Sequence, residues 1–220
     1  MYTKEDLEYI SSKLQYKNDI LKNYTVKVRG LPKQPKGWAF VPHLDLQGGI
    51  QKIPASIAIP IIAIDGAIDG YEFRAISEFA DIRYTKIFLP TATPLYNLRN
   101  NRFCSKVVVT EGAIDCEIIY QLSNMNVIAS VSASATNYVL HMLAFYFNHI
   151  LLVYDNDKDG TGLKKSKAIQ RFYKRFYKNV VSCEIFNLGD YTDKKDIGAI
   201  NSKKERKKVI KKIEEVYNRC

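Results

Sequence analysis

The feature that most constrains this chain lies in its second half. Three short apolar runs, at 107–109, 127–131 and 149–154, and a last strand-like run at 180–186 alternate with helical-period stretches at 113–122, 137–147 and 164–177. A short run without polar alternation is buried on both faces, and strands joined through a helical crossover lie parallel. The order strand, helix, strand, helix, strand, helix, strand therefore predicts an α/β fold with a parallel sheet flanked by helices. Such sheets bind ligands outside the carboxyl ends of their strands.

The first half reads differently, as a small mixed α+β lobe. Leu7, Ile10, Leu14 and Leu21 recur at near-helical spacing, and Thr3 with Asp6 three residues on forms a start signal, predicting a helix over 3–22. Arg29 to Gly37 is a Pro/Gly/Lys-rich loop. Short β-like runs follow at 38–41, 57–64, 71–76 and 86–89, with Pro60 marking an edge or a bulge and Asp65-Gly66 and Asp69-Gly70 bracketing a hairpin turn. Residues 203–217 form a basic helix whose apolar side carries Val209, Ile210, Ile213, Val216 and Tyr217. The expected organisation is a lobe over 1–104, a sheet domain over 105–202 and a C-terminal basic helix over 203–220.

Composition narrows the function classes. The formal net charge is +10, which favours polyanionic partners, nucleic acid first and anionic membrane second. No apolar run approaches the roughly 18 residues of a membrane span, and the polar, acidic start is unlike a secretory leader. The expectation is a soluble intracellular protein. Cys104, Cys116, Cys183 and Cys220 lack zinc-site spacing, as do His43, His141 and His149, and are expected to be reduced.

Two loops carry the chemistry. Thr110-Glu111-Gly112-Ala113-Ile114-Asp115 follows the first parallel strand, and Asp155-Asn156-Asp157-Lys158-Asp159-Gly160 follows the third. Both open a helix, so both fall at one edge of the sheet, where Glu111, Asp155 and Asp157 can converge. Clustered carboxylates raise one another's pKa, and a cation relieves that cost. Magnesium takes hard oxygen ligands from a few carboxylates plus substrate phosphates, with Gly112 and Gly160 allowing tight turns. A calcium EF-hand also begins Asp-x-Asp-x-Asp-Gly, but its twelfth position here is Ser166 and the incoming segment is a strand. Single Asp/Gly loops are common ordinary turns, and Glu111 also suits a helix N-terminus; the pairing of two loops on one edge is what favours a site. Lys158, Lys164 and Lys165 are candidate phosphate contacts, or a solvated helix face. The Arg-Phe-Tyr repeats at 171–173 and 175–177 read as half-buried helix.

Glu-Gly-x-x-Asp after one apolar strand and Asp-x-Asp-x-x-Gly after another resemble the TOPRIM pattern of topoisomerases, DnaG-type primases and some nucleases. Val109 to Asp115 and Tyr154 to Gly160 are closest to bacterial and phage primase forms. Lys195-Asp196 resembles the family's third acidic motif. In the first half, Asp65 to Arg74 and Thr93-Pro94-Leu95-Tyr96 are similar to primase segments, so the likeness covers roughly residues 37–200. It implies a Rossmann-like TOPRIM domain, with Glu111, Asp155 and Asp157 as catalytic metal ligands and Asp115 and Asp196 as supporting acids. It also implies that Arg74, Lys86, Arg99 and Lys158 face nucleotide or template. The chain departs from the family pattern at Ser132-Ala133-Ser134 (often glycine), at Leu98 beside Arg99 (usually lysine), and at Ile197-Gly198 (in place of Pro-Asp).

The function so implied is a DNA primase core, a DNA-directed RNA polymerase using Mg²⁺ or Mn²⁺ to join ribonucleoside triphosphates on single-stranded DNA. Without a zinc ribbon or helicase segment, it would rely on a helicase or zinc-binding template-recognition subunit in trans. The expected setting is the cytoplasm of a bacterium or phage-infected host, the Lys, Ile, Asn and Tyr richness fitting an AT-rich genome. The alternatives are a TOPRIM nuclease using the same metals on water, and a non-catalytic nucleic-acid-binding replication subunit. A topoisomerase fits less well, because no second large domain carries a catalytic tyrosine.

Overall fold

The computed structural model describes residues 2–46, 51–77, 80, 83–101, 103–131 and 137–219. They form two compact units, Met1–Pro94 and Leu95–Cys220.

The first unit begins with α1 (Lys4–Lys13), held at its start by a capping box in which Thr3 and Asp6 satisfy each other's backbone N–H groups. The predicted single helix over 3–22 is divided. Leu14 turns extended, and Gln15 exchanges backbone hydrogen bonds with Phe40 at 2.8 and 3.0 Å. Asn18 then caps α2 (Asp19–Lys22), which runs into a π-helical turn, Asn23–Val28. The spacing of Leu14 and Leu21 concealed the break, because one heptad of apolar positions looks the same with or without an interruption.

The strands are β1 (Ala39–Val41), β2 (Leu44–Leu46), β3 (Gln51–Ile53), β4 (Ser56–Ile62), β5 (Ile68–Ala75) and β6 (Tyr84–Phe88). β1, β4, β5 and β6 make an antiparallel sheet in that order, and β2 pairs with β3 alone. β1 reaches only Ser56 to Ala58, so Pro60 lies where β4 has no neighbour on that side, next to a register shift at Ile61/Ile62. The hairpin turn spans residues 63–67, where the Asp65 carboxylate accepts the Ala67 N–H at 2.9 Å. Asp69-Gly70 lies inside β5 rather than in the turn. Gly70 is required there, since a Cβ would overlap the Ile87 carbonyl and the Phe88 ring. Tyr71 and Phe73 face a core with Leu7, Ile10, Leu44, Ile53 and Ile87, while Glu72 and Arg74 point to the opposite face.

The second unit contains α3 (Leu98–Asn101), β7 (Lys106–Thr110), α4 (Ala113–Leu122), β8 (Val127–Ala129), α5 (Asn137–Tyr146), β9 (His149–Val153), α6 (Thr161–Phe176), β10 (Ser182–Ile185) and α7 (Lys203–Tyr217), with 3₁₀ turns at Leu188–Asp190 and Ile197–Ala199. The four strands are parallel in the order β10-β9-β7-β8. β7, β8 and β9 are buried on both faces, as read from the sequence. β10 lies at the edge of the sheet with every residue exposed or half-buried, so the expectation of burial does not extend to it. Residues 95–104, read from sequence as part of the first lobe, are tied to this unit. Tyr96 bridges Ala129, and the Asn101 amide donates to the Val127 carbonyl at 3.0 Å. α7 buries Val209, Ile210, Ile213 and Tyr217 and packs on α4, so it is continuous with the sheet domain. Among the described residues no helix is long and apolar enough to cross a membrane.

Candidate active site

The chain runs from β7 outward to β8, then crosses back so that β9 lies on the other side of β7. The carboxyl ends of β7 and β9 therefore flank a topological switch point, the place where open α/β sheets hold ligands. Glu111 follows β7 immediately, and Asp155 and Asp157 follow β9. Val109 pairs with Leu152 and Thr110 with Val153, so the two acidic loops leave the sheet side by side.

Local packing holds each loop. Gly160 adopts φ +70, as a tight turn requires, whereas Gly112, at φ −111, has a backbone any residue can take. Gly162, in the first turn of α6, is the more demanding position, because a Cβ there would overlap the Asp155 carbonyl. The Asn156 N–H donates to the Lys195 carbonyl at 2.6 Å, which draws the segment around Lys195-Asp196 to the same edge.

The carboxylates meet two lysines. Lys165 Nζ donates to Glu111 Oε1 at 3.0 Å. Lys195 Nζ lies 3.2 Å from Asp157 and 3.7 Å from Asp155. Neutralisation is incomplete: Glu111 Oε2 is buried with no hydrogen-bond partner among the described residues. Asp155 is pushed up to about 7, first by burial and then by the negative charges of Glu111 and Asp196, against which Lys195 acts only partly. Lys195 is held above its ordinary value. Burial pulls it down, but its hydrogen bond to Asp157 and the charge of Asp155 prevail. Among the described residues no three acidic, histidine or cysteine side chains are yet gathered closely enough to chelate an ion. The lysine ammonium groups serve as the counter-charges in this arrangement.

The supporting acids are engaged in structure. Asp196 caps the 3₁₀ turn Ile197–Ala199, accepting the Ala199 N–H at 2.6 Å, and Asp115 accepts the Gly198 N–H at 2.8 Å. The Ile197-Gly198 departure from the family pattern thus forms the turn that binds both acids. Arg206 donates through Nε and Nη2 to the Ile200 carbonyl and sits in the field of Asp115 and Asp196. A cleft of about 240 Å³ opens beside Asp155 and Asp157, walled by Leu163, Phe186 and Leu188.

The predicted basic residues fall in both units. Lys158 is exposed in the acidic loop, Lys164 donates to the Asp159 carbonyl at 3.1 Å, and Arg99 is exposed on α3. Arg74 and Lys86 belong to the first unit, on β5 and β6. Sequence reading had grouped Lys165 with Lys158 and Lys164 as a phosphate contact; its pairing with Glu111, 54 positions away, depends on helix phase and crossover length. The reading of the Arg-Phe-Tyr repeats as a half-buried helix holds: Tyr173 is buried and Phe176 exposed. Cys104, Cys116 and Cys183 are free thiols, while Cys220 and the Ser132-Ala133-Ser134 segment lie outside the described residues.

Comparison with known proteins bears on the fold. Residues 108–198 match the Toprim-like family. A DNA primase of Clostridium acetobutylicum is 26% identical over 111 residues, which make up 47% of this chain and 18% of that protein. The chain thus spans less than a fifth of the curated relative. Among solved structures, the DnaG primase catalytic domain bound to single-stranded DNA is similar with a TM-score of 0.73 at 16% identity, covering 96% of this chain and 77% of the other. The primase fragment of the bacteriophage T7 primase-helicase protein gives 0.60 at 17% identity, covering 85% and 72%. The fold is that of primase catalytic cores, an α/β arrangement whose second unit is a TOPRIM-type parallel sheet.

Proposed function

We propose that this chain is the catalytic core of a DNA primase, which makes short RNA primers on single-stranded DNA by divalent-metal-dependent nucleotidyl transfer. The observation that carries this reading is the uncompensated negative charge at the switch point: an orphaned buried oxygen on Glu111 facing a group in which burial and other acids push Asp155 up to about 7. A hard divalent cation, Mg²⁺ or Mn²⁺, fits that all-oxygen donor set, with Glu111, Asp155 and Asp157 to hold it. When bound, it would supply positive charge for the attacking 3′-hydroxyl and the leaving phosphate oxygens.

The chain's own residues do the rest by positioning and charge, and no protein nucleophile is needed. β7 and β9 set the spacing of the acids. Asp115 and Asp196 act as positioning residues through the 3₁₀ turn they bind. Lys165 and Lys195 carry the counter-charge in the metal-free protein, and both lie close enough to the acids to meet substrate phosphates. Arg74, Lys86, Arg99 and Lys158 are assigned to nucleotide or template. The substrates are ribonucleoside triphosphates and a single-stranded DNA template, with a helicase or zinc-binding subunit recognising the template in trans, in a bacterial or phage-infected cytoplasm.

The test is primer synthesis by the purified chain on single-stranded DNA with labelled ribonucleotides and either metal. Short RNA products that disappear in Asp155→Asn are expected. Template degradation that depends on Asp155 would replace this reading with a nuclease. Absence of both activities, with nucleic acid still bound, would replace it with a binding subunit.

A further inference from the structure

The first unit holds a cluster of cations that the acidic site does not use. The π-helical turn and β5 border a pocket of about 450 Å³ lined by Tyr24, Arg29, Arg74 and Arg83, with Ile20 and Ile76 on its apolar wall. Arg29 Nε donates to the Tyr24 hydroxyl at 3.1 Å, and its guanidinium lies 5.3 Å from the Tyr24 ring. The Arg74 guanidinium stacks over Tyr84 at 4.1 Å. These contacts orient both forks without offsetting their charge.

Among the described residues no carboxylate lies within ion-pair distance of Arg29 or Arg74. Glu72, two residues before Arg74 on the same face of β5, is only 5% exposed, and burial raises its pKa, so it serves poorly as a counter-ion. Arg74 is itself held below its ordinary value, by burial first and also by the like charge of Arg29. Two partly buried cations that repel each other, with no carboxylate among the described residues in pairing distance, are costly, and an anion removes that cost. Guanidinium forks match phosphate oxygens two at a time. The volume is in the range of small-ligand sites, roughly 300–1,000 Å³, and the apolar wall suits a base or ribose.

We propose that this pocket binds a nucleotide through its phosphate groups, with Arg29, Arg74 and Arg83 as the phosphate-holding residues and Tyr24 beside them. For Arg74 this deepens the assignment to nucleotide or template and rests on that reading. Arg29, Arg83 and Tyr24 enter on geometry alone. None of these residues belongs to the acidic site, so either proposal can fail without the other.

The test is calorimetry on the full chain in low salt with EDTA, using ATP, tripolyphosphate and a dT12 strand without a 5′-phosphate as separate probes. ATP and tripolyphosphate are expected to bind saturably with one site per chain. Arg29→Gln should weaken both at least tenfold, with Arg29→Lys intermediate because it keeps the charge and loses the fork. Lys207→Gln, on the exposed side of α7, should leave the binding unchanged. Arg29→Gln is the deciding variant, because Arg74 also packs on Tyr84 and its loss can disturb the strand. Binding that survives Arg29→Gln, or binding of dT12 with neither small phosphate bound, overturns the proposal. So does the absence of saturable binding by any probe.

Discussion

The two units concentrate charge of opposite sign, and they handle it differently. The second gathers Glu111, Asp155 and Asp157 at the ends of two parallel strands and sets Lys165 and Lys195 against them. The first gathers Arg29 and Arg74 against a π-helical turn with aromatic rings and, among the described residues, no carboxylate in pairing distance. The acidic group carries its own exchangeable counter-charges, whereas the basic group draws on rings that orient cations without neutralising them. On the readings proposed above, a site for an exchangeable ion keeps a resident substitute, whereas a pocket for a ligand that brings its own charge needs none.

The largest expected effect separates chemistry from architecture. Asp155→Asn should lower primer synthesis at least ~100-fold, the scale of losing a principal electrostatic group, while the circular dichroism of the protein stays that of the wild type. Retained activity would remove the acidic loops from the reaction.

Next come paired glycine substitutions, one in each unit. Gly162→Ala drives a methyl into the Asp155 carbonyl, and Gly70→Ala drives one into the Ile87 carbonyl. Each should cost about 1–3 kcal/mol by overpacking, read by urea denaturation. Gly162→Ala should also lower activity more than its stability loss explains, because the displaced backbone is that of Asp155.

A smaller effect tests the lysine substitutes. Lys195→Met should lower the melting temperature in EDTA and enlarge the rise produced by added Mg²⁺, since no ammonium then competes for Asp155 and Asp157. A Mg²⁺ response unchanged by this substitution would show that lysine and metal do not share the carboxylates.

The smallest effect lies in the first unit. Burial raises the pKa of Glu72 above its ordinary 4.5, with Lys86 and Arg74 acting in the opposite direction. Ionisation of a group whose folded pKa is raised costs stability, and that cost is absent well below 4.5 and grows as pH rises through the folded value. Glu72→Gln removes it, so the variant should gain on the wild type from about pH 4 upward. Equal stability across that range would show Glu72 to be compensated by its basic neighbours.

Much of the second unit was legible because its elements are defined locally. α4 and α7 start and stop where periodicity places them, and three apolar runs in a row mark β7, β8 and β9 as buried strands. The loops that follow β7 and β9 were recognisable from their acids and from the shared edge of a parallel sheet. The first unit was harder. The break after Leu14 depends on a backbone exchange with Phe40, and β2 and β3, three residues each, carry too little pattern to stand out.

By itself the sequence determined the alternation of strands and helices, the parallel sheet and the acids at its carboxyl edge, because spacing and side-chain type act within a few residues. Only the tertiary structure decided the strand order that makes β7 and β9 neighbours, the lysines that meet Glu111 and Asp157, the docking of Asp115 on the 3₁₀ turn at Ile197–Ala199, and the convergence of Arg29 with Arg74. Those pairings join residues 38 to 83 positions apart. Which groups meet over such distances is set by crossover lengths and helix phase, quantities that no local pattern of residues encodes.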